Sequence, residues 1–505
     1  MSPTLFRNSA PYGVALAVLC AALGARAAAD PTPLGANKFD LLMQYEGYAG
    51  WQSDGSPGYR HVTHAMGRKA ILDAADAGFR FFRVSVSGYG GTNPQGARRD
   101  MLRLWQSDPE TYWRRVDQMF DDLDAAGLQI VPSLFWNIAQ FPALTGETTA
   151  DFIRDPRSAS RALAARYLRD FVTRYRTRKT ILFYELTNEF NLDADLDKRQ
   201  RCLDQKHNPA LCVSIGNFTE ADLDAFAKDM VGLIRAVDPG RKVTSGYGVP
   251  QAWAYHMALQ PEWTRRGGFT HDSPEEFASN LTTIHRDFDI VSVHVYPQTR
   301  ADRFGRPPDS QARLIADAAR VAHADHKTLF LGEFGDAGPT PFMRSVKALL
   351  DDGQVDYAAV WIWEFYQRST FETEDTDASR FSLEPGYRDS LIALLRGPKA
   401  LVEAAEPRIV LTWPLPCARL DKPVEINATA SDGAVPVESV AFSVDGKLIG
   451  TVTAPPYRVT WDPASAAPQV AHVAAVARAT SGTTSTDGAD VLVDGAGGAC
   501  RATDD

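Results

Sequence analysis

Two glutamates stand where a carboxylate can act on a substrate. Glu189 closes the run Phe183-Tyr184-Glu185-Leu186-Thr187-Asn188-Glu189, and Glu333 closes Phe330-Leu331-Gly332-Glu333. Both runs are short, apolar and rich in β-formers, so each reads as a buried strand whose last residue reaches the strand's C-terminal edge. A neutral carboxyl can protonate a leaving oxygen while a second, ionised carboxyl attacks the carbon from the opposite face. Hydrolysis of a glycosidic bond with retention asks for that pairing, at a separation of about 5–5.5 Å. Two groups can hold one of the pair ionised: Arg83, in Phe81-Phe82-Arg83-Val84, and Tyr296, in His294-Val295-Tyr296-Pro297. Glu185 shares the facing of Glu189 but lies two pleats deeper, where it is expected to pair with Arg83.

Such residues need elements that converge them. Eight apolar, β-rich runs recur, at 39–45, 79–85, 128–136, 181–189, 243–247, 290–296, 328–333 and 357–363. Between them fall helical patterns such as 109–126, 161–178, 219–237 and 274–288. Two of these open on capping signatures, Thr219-Glu-Ala-Asp222 and Ser273-Pro-Glu-Glu276. Alternation of this kind, with right-handed crossovers, predicts an α/β fold: a (β/α)8 TIM barrel over residues 30–398, whose site forms at the C-terminal strand ends. An open doubly wound sheet is the competing topology, but no G-x-G-x-x-G follows the first run.

The pattern changes after Leu395. A linker at 399–408 leads to short alternating runs at 409–413, 424–430, 437–444, 447–452, 457–461, 471–479 and 491–493, separated by turn residues such as Asp445-Gly446 and Pro455-Pro456. About seven strands in so short a span predict an all-β sandwich over 409–505. The segment Val440-Ala-Phe-Ser-Val-Asp-Gly-Lys-Leu-Ile-Gly450 with Pro456-Tyr-Arg-Val-Thr-Trp461 resembles bacterial immunoglobulin-like modules. Trp413, Tyr457 and Trp461 fit core alternation better than a sugar-stacking platform, so a spacer or stabilising role is expected.

The chain has 53 basic and 63 acidic side chains, a formal charge of −10, and no basic cluster to track phosphates, so nucleic acid is not an expected partner. At the N-terminus Arg7 precedes an apolar stretch at 13–24, followed by Ala25-Arg26-Ala27-Ala28-Ala29. The stretch is too short to span a bilayer and ends in the small residues that a signal peptidase needs, so 1–29 reads as a cleaved export signal. A secreted or periplasmic protein without a stable membrane anchor is expected; Leu19 before Cys20 argues against lipid attachment. Of five cysteines, Cys202, Cys212, Cys417 and Cys500 follow the signal, and local bridges Cys202–Cys212 and Cys417–Cys500 are expected. His323-Ala-Asp-His326 has no third ligand in view and reads as a solvated helix end; neither metal nor organic cofactor is expected.

The spaced strand-end residues resemble those of glycoside hydrolase family 5 and its relatives in clan A, across about residues 33–398. The resemblance rests on Arg83, Asn188-Glu189, His294-x-Tyr296, Glu333 and Trp363 at successive strand ends. It implies Glu189 as acid/base, Glu333 as nucleophile, and Asn188 on the sugar 2-hydroxyl. It further implies Arg83 and Tyr296 orienting Glu333, His294 supporting the acid/base, and Trp363 flooring the reacting subsite; strand alternation sets Trp361 on the same face but deeper, so it is expected in the core. Where the family often has a His ending strand three, this chain has Phe135-Trp136-Asn137, and Trp136 and Asn137 are candidate substrate contacts. A β-linked glycan, a β-mannan or β-glucan cleaved internally, is the implied substrate. A carbohydrate-binding or adhesive protein on a retired barrel is the rival reading, and the retained Glu pair argues against it. Oligomeric state is left open.

Overall fold

The computed structural model describes residues 32–46, 64–88, 100–204, 212–265, 268–299, 311–364, 381–383, 385, 388–397, 407–414, 418–431, 436–465 and 470–493. The expected export signal at 1–29, Cys417, Cys500 and the acidic segment 371–377 lie outside the described residues. Eight parallel strands close into a barrel in chain order: β1 (Leu34–Asn37), β2 (Phe81–Ser85), β3 (Gln129–Phe135), β4 (Tyr184–Thr187), β5 (Val243–Thr244), β6 (Ile290–His294), β7 (Thr328–Phe334) and β8 (Tyr357–Val360). β8 pairs back onto β1, with Leu34 opposite Ala358.

The first strand is not the run the sequence pointed to. Residues Leu41–Glu46, overlapping the expected strand 39–45, form a helix whose six residues are all buried. A short, wholly buried stretch carries no periodicity that tells a buried helix from a buried strand. The true β1, Leu-Gly-Ala-Asn, has one large apolar side chain and so no run to mark it. The helical readings hold closely. Pro109–Ala126 starts where Asp108 accepts from the Thr111 N–H and stops at the left-handed Gly127. Both predicted capping boxes form, at Thr219–Asp222 and Ser273–Glu276.

Inward and outward side chains build two separate cores. Phe81, Val131, Phe183, Ile290, Phe330 and Ala359 fill the lumen. The alternate residues, such as Val84, Val291, Val293, Leu329 and Leu331, pack beneath the helices. Two residues further along β2, β4 and β6, the inward positions become Arg83, Glu185 and Ser292, all fully buried. The polar site therefore rests on an apolar plug and opens only toward the C-terminal strand ends.

One irregularity decides the site. Val293 pairs with Leu331, but His294 pairs with Glu333, and on the other side Leu331 and Phe334 face Ala358 and Val360. β7 thus carries one extra residue at Gly332–Glu333. Strict alternation from Leu329 and Leu331 would send Glu333 outward beneath the helices; the bulge returns it to the lumen. Gly332 is needed there, because a Cβ on it would lie 2.7 Å from Nε2 of His294.

The C-terminal strands form two sheets. The first contains β10 (Arg419–Leu420), β16 (Thr484–Val493), β15 (Val470–Ala479), β12 (Val437–Val444) and β13 (Lys447–Val452), and the second β14 (Tyr457–Trp461), β11 (Val424–Ser431) and β9 (Arg408–Trp413). The sequence reading misses β10, only two residues long. It also shortens β16, whose polar first half is held by antiparallel pairing with β15 from Val470–Leu492 to Arg478–Thr484. Tyr457 and Trp461 are buried in the sandwich core and Trp413 packs against it. No helix among the described residues is long and apolar enough to cross a membrane.

Candidate active site

Arg83 organises the site from beneath. It is fully buried on β2 and donates to four partners at once. Nε reaches both carboxylate oxygens of Glu185 at 3.0 and 2.8 Å, and Nη1 reaches Asn37 Oδ1 at 2.9 Å and Glu333 Oε1 at 2.6 Å. Nη2 reaches Asn188 Oδ1 at 2.8 Å. Burial pulls the guanidinium toward neutrality, but Glu185 and Glu333 outweigh it and hold Arg83 above its ordinary pKa. Its planar fork fixes four side chains, on β1, on β7 and on and just after β4, in a way that a point charge could not.

Glu333, on the bulge of β7, receives a second donor on its other oxygen: the Tyr296 hydroxyl, at 2.7 Å from Oε2. Burial and the neighbouring Glu333 charge push Tyr296 far above the ordinary phenol value, so it stays a neutral donor. Glu189 has different surroundings. β4 ends at Thr187, and Glu189 takes left-handed backbone angles, φ 56° and ψ 21°. That conformation costs a non-glycine residue about 1–2 kcal/mol. It is held by donation from the Glu189 N–H to Gly246 O at 2.8 Å. Gly246 itself turns at φ +74°, and any side chain there would strike Thr187 O.

About a third of the Glu189 side chain is open to the cleft. Burial by the surrounding walls raises its carboxyl above the ordinary value; Arg83 opposes that rise and Asp193 adds to it. His294 Nδ1 lies 3.0 Å from Glu189 Oε1 and 3.6 Å from Glu333 Oε1. Burial lowers His294 to about 4, so the ring is neutral at pH 7. One oxygen from each glutamate and the ring nitrogen lie within 4.8 Å of one another. Arg83, Asn188, Glu189, His294, Tyr296 and Glu333, named from six strand-end positions, thus meet at one point.

The aromatic expectations are corrected. β8 ends at Val360, so strand alternation does not govern 361–363. Trp363 is fully buried outside the lumen, packed on Phe79 with its indole N–H donated to Ala70 O at 3.1 Å. Trp361, expected in the core, is the half-buried ring beside the site, stacked on Phe39 at 5.7 Å and near Trp136 at 6.3 Å. Trp136 is only 5% exposed, with Arg83 over its ring at 4.5 Å and Phe39 stacked on it at 5.4 Å. Asn137 is used in a turn: Oδ1 accepts from the Ala139 N–H, and Nδ2 is buried without a partner among the described residues. Its amide is therefore not offered to the cleft.

Three supporting residues escaped the sequence reading. Asn37 accepts from Arg83 while its Nδ2 donates to Gly332 O at 2.9 Å and Ala359 O at 3.0 Å, joining β1 to the bulge. Asn191 clamps both backbone groups of Gly248, at 2.8 and 3.0 Å, beside Glu189. Lys38 pairs with Asp40 at 2.9 Å and donates to Glu364 O, tying β1 to the segment carrying Trp361. Asn37-Lys38 is a polar pair in a short apolar neighbourhood, the only local hint of the first and third.

The expected bridge Cys202–Cys212 is present, with Cα atoms 5.9 Å apart. His323 pairs with Asp356 at 2.8 Å on the surface. Among the described residues two groups of metal-ligating side chains come together, Glu189–His294–Glu333 and His256–Asp272–Glu276. In the first, Arg83 already occupies Glu333 Oε1. In the second, His256 Nδ1 is bound to Asp272, and Glu276 caps Ser273.

The cellulase model, glycosyl hydrolase family 5, matches residues 48–369, and a bacterial Ig domain model matches 407–489. Among solved structures the chain is similar to the endo-β-1,4-mannanase of Thermotoga petrophila, at 16% identity and TM-score 0.46, covering 92% of this chain and 98% of that one. It is also similar to a family 5 mannosidase of Rhizomucor miehei, at 14% identity and TM-score 0.47, covering 72% and 91%. A third is an exo-β-1,4-mannosidase of an Opitutaceae bacterium, at 16% and 0.46, covering 74% and 61%. No curated protein matches the chain. The first model spans well over half of the residues and contains Arg83 and all of its partners but Asn37; the chain belongs to glycosyl hydrolase family 5 and is a glycoside hydrolase with a C-terminal bacterial Ig domain.

Proposed function

We propose that the protein is a retaining β-glycosidase that acts by double displacement, with Glu333 as nucleophile and Glu189 as acid/base. The observation that carries this reading is the unequal treatment of two carboxylates within 4.8 Å of each other. Glu333 accepts from a guanidinium on one oxygen and a phenol on the other, which fixes the carboxylate and suits it to attack. Glu189 is raised by burial and remains open to the cleft, which suits a proton donor. In the first step Glu333 attacks the anomeric carbon while Glu189 protonates the departing oxygen. In the second, Glu189 takes a proton from water, which attacks the glycosyl–Glu333 ester and restores the starting anomer.

Arg83 occupies Asn188 Oδ1, so the Asn188 amide hydrogens face away from it, toward a sugar hydroxyl. Trp361, rather than Trp363, floors the reacting subsite. The substrate is a β-linked glycan, a β-mannan or β-glucan cut internally. The leader at 1–29 directs export, residues 30–398 carry the chemistry and the domain at 409–505 is a spacer. Proton NMR of nascent product tests the mechanism: the β-anomer appearing first is expected, and the α-anomer appearing first overturns it. A panel of β-glycans, with product sizes read early in the reaction, tests the substrate: oligosaccharides are expected, and single sugars alone would replace internal cleavage with end trimming.

A further inference from the structure

Past the end of β8 the course of the chain through Trp361 is set by separate contacts rather than by a barrel strand. The Trp361 N–H donates to Phe334 O at 2.7 Å, the Trp363 N–H to Asn37 O at 2.8 Å and the Glu364 N–H to Leu383 O at 2.7 Å. Glu364 then turns in the left-handed region, at φ 39°, a conformation costly for a residue with a side chain. Its carbonyl accepts from Lys38 Nζ at 2.8 Å. Among the described residues this is the one bond from a side chain to the backbone of 361–364. Lys38 is itself fixed from two sides: its N–H donates to Arg83 O at 2.9 Å, and Nζ lies 2.9 Å from Asp40 Oδ1. Phe39, between Lys38 and Asp40, stacks on the Trp361 ring with centroids 5.7 Å apart and planes within 4°. The exit of β1 therefore holds the Trp361 segment twice, by ring on ring and by the bond to Glu364.

The Lys38 and Asp40 side chains are 0% and 1% exposed. Two charges taken this far out of water stabilise a fold no better than apolar side chains of the same size would. Asp40 has no second task, since among the described residues it has no side-chain partner besides Lys38. The Glu364 carboxylate turns toward another cation, Lys69 at 3.9 Å, and leaves the Lys38 ammonium to the main-chain oxygen. What the pair supplies, and an apolar pair would not, is a donor aimed at the carbonyl of a strained turn. We propose that Lys38 is a positioning residue for the reacting subsite: held by Asp40, it fixes the turn at Glu364 and through it the place of the Trp361 ring stacked on Phe39. This rests on the reading that Trp361 floors that subsite; Lys38, fully buried, touches no substrate.

The test removes both charges together in the full chain, because Lys38→Met alone leaves Asp40 buried without a counter-charge and endangers folding. Lys38→Met/Asp40→Asn replaces each side chain by a neutral one of similar length and should melt within about 5 °C of the wild type. With an aryl β-mannoside or β-glucoside its KM should rise about 3- to 10-fold while kcat changes less than about twofold. In a Trp361→Ala background the same two changes should raise KM by less than about 1.5-fold more, because the ring they position is gone. An unchanged KM in the pair variant, with KM raised in Trp361→Ala, would overturn this proposal and leave the subsite reading standing. An unchanged KM in Trp361→Ala would remove the subsite reading and this proposal with it. Equal rises of KM in both backgrounds, or a melting temperature lowered by more than about 5 °C in the pair variant, would make the pair a structural tie and overturn the positioning role.

Discussion

Replacing Arg83 by methionine separates the two tasks this residue performs. Glu185 is fully buried, and its hydrogen bonds come from Arg83 Nε at 3.0 and 2.8 Å. Arg83→Met leaves that carboxylate uncompensated, which costs about 3–5 kcal/mol of stability. Glu333 loses a charge-assisted bond of 2.6 Å, worth about 1.5–3 kcal/mol. If that bond is needed to hold Glu333 aimed, turnover falls by about 10- to 150-fold. The double variant Arg83→Met/Glu185→Met removes both buried charges and should recover most of the lost stability, as replacement of a buried ion pair by apolar side chains does. It cannot restore a donor to Glu333 or Asn188. Urea denaturation followed by fluorescence gives the stability of each variant, and hydrolysis of an aryl β-glycoside, corrected for folded fraction, gives the activity. Stability should recover in the double variant while activity stays low. Recovery of both would reduce Arg83 to a structural partner of Glu185, and a single variant as stable as wild type would refute the reasoning about buried charge.

Three further outcomes follow from the same geometry. Activity depends on a protonated Glu189 whose pKa is raised by burial, so it should be lost as pH climbs through a value above the ordinary carboxylate range; Glu189→Gln should abolish that alkaline limb in a pH–rate profile and slow substrates with poor leaving groups most. Trp361→Ala should raise KM with the melting temperature nearly unchanged, whereas Trp363→Ala should cost about 3–5 kcal/mol of stability and leave the KM of the folded fraction alone. Glu46 is buried, its oxygens accept no hydrogen bond among the described residues, and burial, opposed by Arg115 at 3.6 Å, raises it to about 8. Between an unfolded value near 4 and about 8 the folded state keeps a proton that the unfolded state releases, so stability falls as pH rises through that window. Glu46→Gln should flatten this slope in melting temperatures measured from pH 5 to 8, and an unchanged slope would refute the assignment.

Periodicity along the chain was enough to establish the alternation of strands and helices, the capping boxes, the change to an all-β domain, and the strand ends that carry Asn188, Glu189, His294, Tyr296 and Glu333. These features are local: they depend on which side chains recur at two or at 3.6 residues and on which residues close an element. What alternation could not decide is the direction of a side chain once a strand departs from regularity. Glu333 faces the lumen because pairing with β6 and β8 inserts one extra residue into β7. Trp361 and Trp363 exchange their expected places because β8 stops before either. Asn37 became visible only when a strand with a single large apolar residue was paired on both sides. The unequal surroundings of Glu189 and Glu333 have the same origin: burial and donors come from β2, β6 and β7, more than 30 residues away in sequence, and no local pattern encodes a distance between strands.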